Sequence, residues 1–247
     1  MAFLALDDVT ALLLDLDDTI LDDRSGILGA WRVVVPLVHE GRPELDPPQI
    51  HQAIEECTDW FWSDPERERE GRLDLHRARF EILSAVLEKL ERPDAALAEA
   101  AAALYTEHRE SGLRLAEGAL EALGRLREMV PRLALVTNGA QIPQRAKIER
   151  FGLAPFFDHI QVEGEYGLGK PEPEVYRHVA ARLGVAPEAC LMVGDNFRAD
   201  VLGALAVGMH AAWIDVEGRG EPPKPAPRPH ATVTSLVDLA RRLGVSD

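Results

Sequence analysis

The sequence predicts an α/β fold: a parallel sheet covered by helices on both faces, with a helical insertion after the first strand. Three observations predict it. Residues 9–16, VTALLLDL, form a short apolar run that stops at acidic residues, the pattern of a buried strand. From about residue 27 to 111 the pattern turns helical and shows no convincing strand. After Gly112 helix and strand alternate to the end, as expected of parallel strands joined by right-handed crossovers.

In the insertion, Phe80, Leu83, Leu87 and Leu90 recur at helical spacing, as do Leu97, Ala101, Leu104, Tyr105 and His108. Pro43, Pro47-Pro48, a Ser63-Asp64-Pro65 turn and Pro93 punctuate the stretch. Four helices are expected, near 27–41, 48–62, 72–91 and 94–110. Downstream, a helix carrying Leu120, Leu123, Leu126 and Met129 leads to a strand at 133–136. A helix near 143–151 stops at Gly152, a left-handed cap. A strand follows at 160–162, and Pro173 opens a helix that stops at Gly184. Strands are expected at 190–193, 211–214 and 231–233, and helices at 199–208 and 235–243. The proline- and glycine-rich segment 218–229 reads as a surface loop. The domains expected are a core, 1–23 with 112–247, and a helical-bundle cap, 24–111. Linkers near 22–27 and 110–115 would let the cap open and close.

Composition narrows the partners. Hydrophobic residues make up 46% of 247, enough for a sizeable core and too many for wholesale disorder. The net charge of -15 repels nucleic acid and anionic lipid. It also repels a phosphorylated ligand, so such a ligand needs a local positive centre. Cys57 and Cys190 lack metal-ligand spacing and read as buried thiols in a reducing cytoplasm. The opening MAFLALDD does not read as a secretory signal, and no apolar run reaches bilayer-spanning length. The expectation is a cytoplasmic monomer or homodimer with no membrane or nucleic-acid partner.

In an open parallel sheet, ligands bind beyond the carboxyl ends of the strands. Polar clusters fall there: Asp15-Leu16-Asp17-Asp18-Thr19, Thr137-Asn138-Gly139 and Gly194-Asp195-Asn196. Lys170, one of four lysines, follows Gly167-Leu168-Gly169 and precedes a helix. Read singly, Asp15 serves as well as a turn-capping acid, Lys170 as a solvated lysine and Asp200 as a first-turn acid. Read together, the ordered set LLLDLDDTI, LALVTNG, GLGKPEPEVY and VGDNFRAD resembles the four motifs of the haloacid dehalogenase superfamily. The resemblance is to its members with a helical cap inserted after the first strand. The DLDDT and VTNG wording is most similar to a nucleotide and acyl-sugar phosphatase branch.

The resemblance implies a Rossmann-like three-layer core and a magnesium-dependent phosphomonoesterase. The substrate class would be a small phosphorylated metabolite of sugar phosphate, nucleotide or phosphoglycolate type. Asp15 would be the nucleophile and Asp17 the general acid–base group. Thr137, Asn138 and Gly139 would bind the phosphoryl group, and Lys170 would offset its charge. The Asp15 and Asp195 carboxylates with the Asp17 backbone carbonyl would hold Mg2+, and Asp200 would orient a metal-bound water or Lys170. The chemistry suits these residue types. Attack by a carboxylate splits one hard hydrolysis into two steps. An acid two residues on can protonate the leaving oxygen and then activate water. Magnesium takes hard oxygen ligands.

In the cap, Trp60, Phe61 and Trp62 read as core. Arg72, His76, Arg77 and Arg79 form a basic stretch, of which Arg77 or Arg79 could meet a second anionic group on a substrate. Local pairing with the acids at 66–70 is the simpler reading. Lys89 alone among the lysines falls in the cap, on a helix surface, which disfavours a phosphonate-cleaving relative. The alternatives left open are a phosphomutase, a dehalogenase and a regulatory module that carries a phosphoaspartate without turnover.

Overall fold

The computed structural model describes residues 9–216, 218, 220 and 227–244. The opening MAFLALDD segment and most of the 218–229 segment lie outside them. The chain divides into two compact units, one running to Asp22 and resuming at Leu115, the other Asp23–Arg114.

The first unit is built on a six-stranded sheet of β1 (Ala11–Leu14), β4 (Arg132–Thr137), β5 (His159–Val162), β6 (Cys190–Gly194), β7 (His210–Ile214) and β8 (Ala231–Val233). Their order is β5-β4-β1-β6-β7-β8, and every pairing is parallel. β1 is central: Leu13 pairs with Ala134 on one side and Met192 on the other. All four β1 residues are buried, so this strand needs apolar side chains on both faces and shows no alternation. Helices α6 (Ala119–Met129), α7 (Gln141–Arg150), α8 (Glu163–Tyr166), α9 (Pro173–Leu183), α10 (Gly203–Leu205) and α11 (Leu236–Gly244) complete the unit. Val175, Tyr176 and Val179 of α9 pack with Leu13, Val136 and Met192. The α9 helix ends at Gly184 with φ 72°, a left-handed conformation that glycine adopts without a Cβ clash.

Two details depart from the sequence reading. The short helix α8 was not anticipated. The helix expected from residue 199 begins earlier, as a π-helical turn at Phe197–Leu202, and passes into α10. Asn196 opens that turn by accepting the Ala199 amide at 2.9 Å, and its wider winding carries Asp200 back toward the end of β6.

The helical unit contains α1 (Arg24–Gly41), α2 (Pro47–Ser63), α3 (Pro65–Leu73), α4 (Leu75–Lys89) and α5 (Ala95–Gly112). Short strands β2 (Leu21–Asp22) and β3 (Arg114–Leu115) lie at its two ends in the sequence. Five helices therefore replace the four expected, because Asp64 and Asp74 both act as N-caps. Asp64 accepts the Glu66 and Arg67 amides at 3.1 and 2.9 Å, and Asp74 accepts the Arg77 amide at 3.1 Å. The acidic segment read as a turn and the head of one long helix is thus a capped helix of its own, ended by the next cap. The core of the unit joins Val34, Val38, Ile54, Phe61, Leu83, Leu87 and Tyr105. Trp60 is half exposed (49%), whereas Phe61 is buried. A Cβ on Gly26 would come within 2.7 Å of the Arg109 carbonyl, so glycine there permits the close approach of α1 and α5. No helix among the described residues is long and apolar enough to cross a membrane.

Candidate active site

Three strand ends and two helix starts meet beyond the carboxyl edge of the sheet. Asp15 follows β1, and its amide donates to the Val193 carbonyl at 2.9 Å, which continues the sheet one residue and fixes the direction of its side chain. The Lys170 ammonium donates to Asp15 Oδ1 and to Asp200 Oδ1, both at 2.6 Å. Lys170 is 2% exposed and Asp200 fully buried. The second oxygen of Asp200 accepts the Asn196 amide at 3.0 Å, so both of its oxygens are engaged within the protein. A Cβ on Gly194 would overlap the Asp200 carboxylate; glycine at the end of β6 is what lets this acid lie against the strand.

Asp15, Asp195 and Asp200 each present a carboxylate oxygen, all within 4.8 Å of one another. Burial is the main influence pushing Asp15 up, to about 7, with Asp200 and Asp17 adding and Lys170 opposing. Burial works against the charged form of Lys170 too, but the two carboxylates outweigh it and hold the ammonium above its usual value. Three carboxylates against one ammonium leave two negative charges, the charge of one divalent cation. Hard oxygen donors and that charge deficit fit Mg2+.

Asp17 belongs to a second network. Lys147 Nζ donates to its Oδ1 at 2.7 Å, and Gln144 Nε2 donates to its Oδ2 at 3.0 Å and to the Thr137 hydroxyl oxygen at 2.5 Å. Thr137 is 2% exposed at the end of β4. Asp17 is thereby held toward α7. Asp18, with φ 57°, supplies the left-handed residue of the turn that follows; Asp tolerates that conformation better than most side chains.

The loop after β4 is tied down on both sides. The Asn138 side chain reads the Lys170 backbone in both directions, accepting its N–H at 2.7 Å and donating to its carbonyl at 2.7 Å. The Gly139 amide, expected to serve a phosphoryl group, donates instead to the buried carboxylate of Glu163 at 2.8 Å. Gly139 has φ 115°, and that turn aims its N–H at α8. The Gly164 amide returns a bond to the Gly139 carbonyl at 2.9 Å.

Asp15, Thr137, Lys170 and Asp195 thus gather at one crevice, with Asp17 at its α7 side. The sequence reading missed Gln144, Lys147 and Glu163. The available signal was a polar residue where an apolar one belongs: Gln144 and Ile148 are the buried pair of α7, one turn apart. Arg79 lies in the helical unit, 8% exposed, with Nη1 donating to the Thr106 hydroxyl at 2.6 Å.

Comparison with known proteins identifies the family. The family described as haloacid dehalogenase-like hydrolase matches residues 9–208. The chain is 31% identical over 255 aligned positions to N-acylneuraminate-9-phosphatase of Rattus norvegicus, covering 96% of this chain and 94% of that one. It is 36% identical over 166 residues to phosphoserine phosphatase of Thermus thermophilus, covering 67% of this chain but 61% of that protein. Among solved structures, the magnesium-bound putative HAD-hydrolase YfnB from Bacillus subtilis superposes with a TM-score of 0.74 at 25% identity, over 96% of this chain and 99% of that one. L-2-haloacid dehalogenase from Xanthobacter autotrophicus shares the fold, with a TM-score of 0.65 at 24% identity, over 96% and 100% of the two chains. The chain belongs to the haloacid dehalogenase-like hydrolases and is a phosphatase of that family.

Proposed function

We propose that the chain is a magnesium-dependent phosphomonoesterase for a small phosphorylated metabolite, working through a phosphorylated Asp15. The observation that carries the reading is the buried Lys170 ammonium, 2.6 Å from both Asp15 and Asp200, beside a third carboxylate, Asp195. The relatives named for phosphoserine, N-acylneuraminate 9-phosphate and, in Methanopyrus kandleri, glyceraldehyde 3-phosphate support the substrate class, and the magnesium-bound neighbour supports the metal.

The Asp15 and Asp195 carboxylates and the Asp17 backbone carbonyl would hold Mg2+. Asp200, with both oxygens used by Lys170 and Asn196, serves to orient the lysine. Bound there, the ion supplies positive charge against the phosphoryl oxygens. Asp15 attacks phosphorus and forms an acyl phosphate while the ester P–O bond breaks. Asp17 gives its proton to the leaving oxygen. It then takes a proton from the water that attacks the phosphoaspartate, which releases inorganic phosphate and restores Asp15. Lys170 and the Thr137 hydroxyl offset charge on the phosphoryl group. Asn138 and Gly139 shape the loop around it, and the helical unit, with Arg79, is assigned to substrate choice.

The presence of Asp17 favours this reading over dehalogenation. Halide leaves without a proton, whereas an alkoxide needs one, and Asp17 would supply it.

Asp17→Asn should slow ester turnover by roughly 100- to 10,000-fold. With an activated ester it should accumulate phosphorylated protein, visible as added mass, and Asp15→Asn should show none. Activity should vanish with a chelator and return with magnesium. Wild-type turnover by Asp17→Asn, or full activity after metal removal, would overturn the mechanism.

A further inference from the structure

Glu163 carries a carboxylate that the proposed reaction does not use. It is 4% exposed and opens α8 directly after β5. Thr137 and Val162 pair in the sheet, so Glu163 stands one residue beyond the sheet edge, beside the start of the loop after β4. Taking a carboxylate out of water is expensive, and a solvated residue would open a four-residue helix equally well. What this carboxylate meets belongs to two loops of the crevice.

The first is the loop after β4. Glu163 Oε2 accepts the Gly139 amide at 2.8 Å, and the Gly164 amide donates to the Gly139 carbonyl at 2.9 Å. Gly139 is thus gripped through both of its backbone polar groups, at a φ of 115° that glycine adopts without a Cβ clash. The second is the segment leading to Lys170. A Cβ on Gly169 would come within 2.4 Å of Glu163 Cδ and Oε1, so glycine there lets the backbone lie against the carboxylate. The two loops also bind each other, because Asn138 bonds the Lys170 N–H and carbonyl, both at 2.7 Å. Lys170 in turn directs its ammonium to Asp15 and Asp200. From Glu163 one line of contacts runs through Gly139 and Asn138 and another through Gly169, and both end at Lys170.

We propose that Glu163 is a positioning residue for the phosphatase reaction, an acceptor and spacer between two loops that sets Thr137–Gly139 and, through Asn138 and Gly169, the Lys170 ammonium. This role rests on the reading above, in which Lys170 offsets charge on the phosphoryl group. It is geometric: an oxygen at the Gly139 amide and a side chain of this shape against Gly169 are what the loops need. A misplacement of about 1 Å in such a site can cost on the order of 100-fold in rate.

Glu163→Ala removes the acceptor and the spacer together and leaves a buried amide unmatched. With a generic activated phosphate ester and magnesium, it should lower kcat by about 10- to 100-fold and move KM by less than about 3-fold. Glu163→Gln keeps the shape and an acceptor oxygen, and should recover kcat to within about 3-fold of wild type. Gly169→Ala places a methyl group where the carboxylate lies. It should lower kcat over the same range, and it covers the case in which Glu163→Ala fails to fold. Leu123→Ala, at a fully buried position of α6, should lower Tm and leave kcat unchanged, which separates lost packing from lost position. Amide hydrogen exchange, followed residue by residue, supplies a second measurement. In Glu163→Ala the Lys170 amide, whose acceptor is Asn138, should exchange at least about 10-fold faster, with the Leu13 amide unchanged. Exchange needs no turnover, so it decides whether Glu163 places Lys170 even where Asp15→Asn keeps its activity and the phosphoaspartate reading falls. Wild-type kcat in Glu163→Ala and Gly169→Ala, a Glu163→Gln as slow as Glu163→Ala, or an unchanged Lys170 exchange rate would overturn the proposal.

Discussion

The sheet crevice and the helical unit treat charge in opposite ways. In the crevice, Lys170, Asp15 and Asp200 are buried together, beyond the apolar strands β1 and β6. In the helical unit, residues such as Arg77, Glu81, Glu56 and Lys89 pair across exposed surface, and the interior is Val, Ile, Leu and aromatic. Burying an ion is expensive and a surface pair is worth little, so a packed set of ions is tolerated where chemistry needs it. The comparison teaches that burial of charge, more than its abundance, locates function in this acidic chain. Arg79 and Asp23, both buried in the helical unit, depart from the pattern.

The largest expected effect lies in the crevice. Lys170→Met should cut turnover by about 100- to 1,000-fold, as for loss of a charge-stabilising donor, with circular dichroism showing whether the fold persists. Retained activity would mean that its burial serves packing alone. Lys147→Met removes one charge-assisted bond to Asp17 and should lower kcat by about 10- to 100-fold, read by steady-state kinetics. If kcat holds, the α7 network is not needed to place Asp17.

In the helical unit the sensitive positions should be apolar. Leu83→Ala, at a fully packed site, should cost about 2–5 kcal/mol in denaturant unfolding. Between these extremes stands Asp158, which accepts from Arg127 at 2.6 and 3.0 Å and from the Leu133 amide at 2.9 Å. Burial pushes its carboxyl up, but Arg127 and the amide prevail and hold it below the usual value. A lowered folded value means that its contribution is present above the unfolded carboxyl pKa and is lost as pH falls through the folded one. Asp158→Asn should therefore cost about 1.5–3 kcal/mol at neutral pH, and the difference from wild type should shrink in acid. A difference that grows in acid would reverse the sign. The smallest effect belongs to Arg77→Ala, which breaks an exposed pair and should shift stability by no more than about 0.5 kcal/mol. A loss comparable to that of Leu83→Ala would erase the contrast between the two regions.

Much of this arrangement was legible in the residues. The inner strands of the main sheet were visible because a buried parallel strand must be apolar on both faces, as in Leu12, Leu13 and Leu14. Asp15, Thr137 and Asp195 were visible because polar groups interrupt such runs where the strands end, and Lys170 because it is one of four lysines and follows a glycine-flanked loop. Helices α3 and α4 were harder to separate. Asp64 and Asp74 are ordinary in an acidic segment until their backbone partners are known.

The sequence by itself determined the α/β class, the helical insertion after the first strand and the polar clusters at the ends of β1, β4 and β6, since these follow from local periodicity and from where apolar runs stop. Only the tertiary structure decided who serves whom. It gave the Gly139 amide to Glu163, both faces of the Asn138 amide to the Lys170 backbone, and Gln144 and Lys147 to Asp17. These partners are separated by between 24 and 130 positions in the chain, and a hydrogen bond depends on distance and direction in space. Sequence spacing fixes those within one helix or strand and leaves them open between one element and the next.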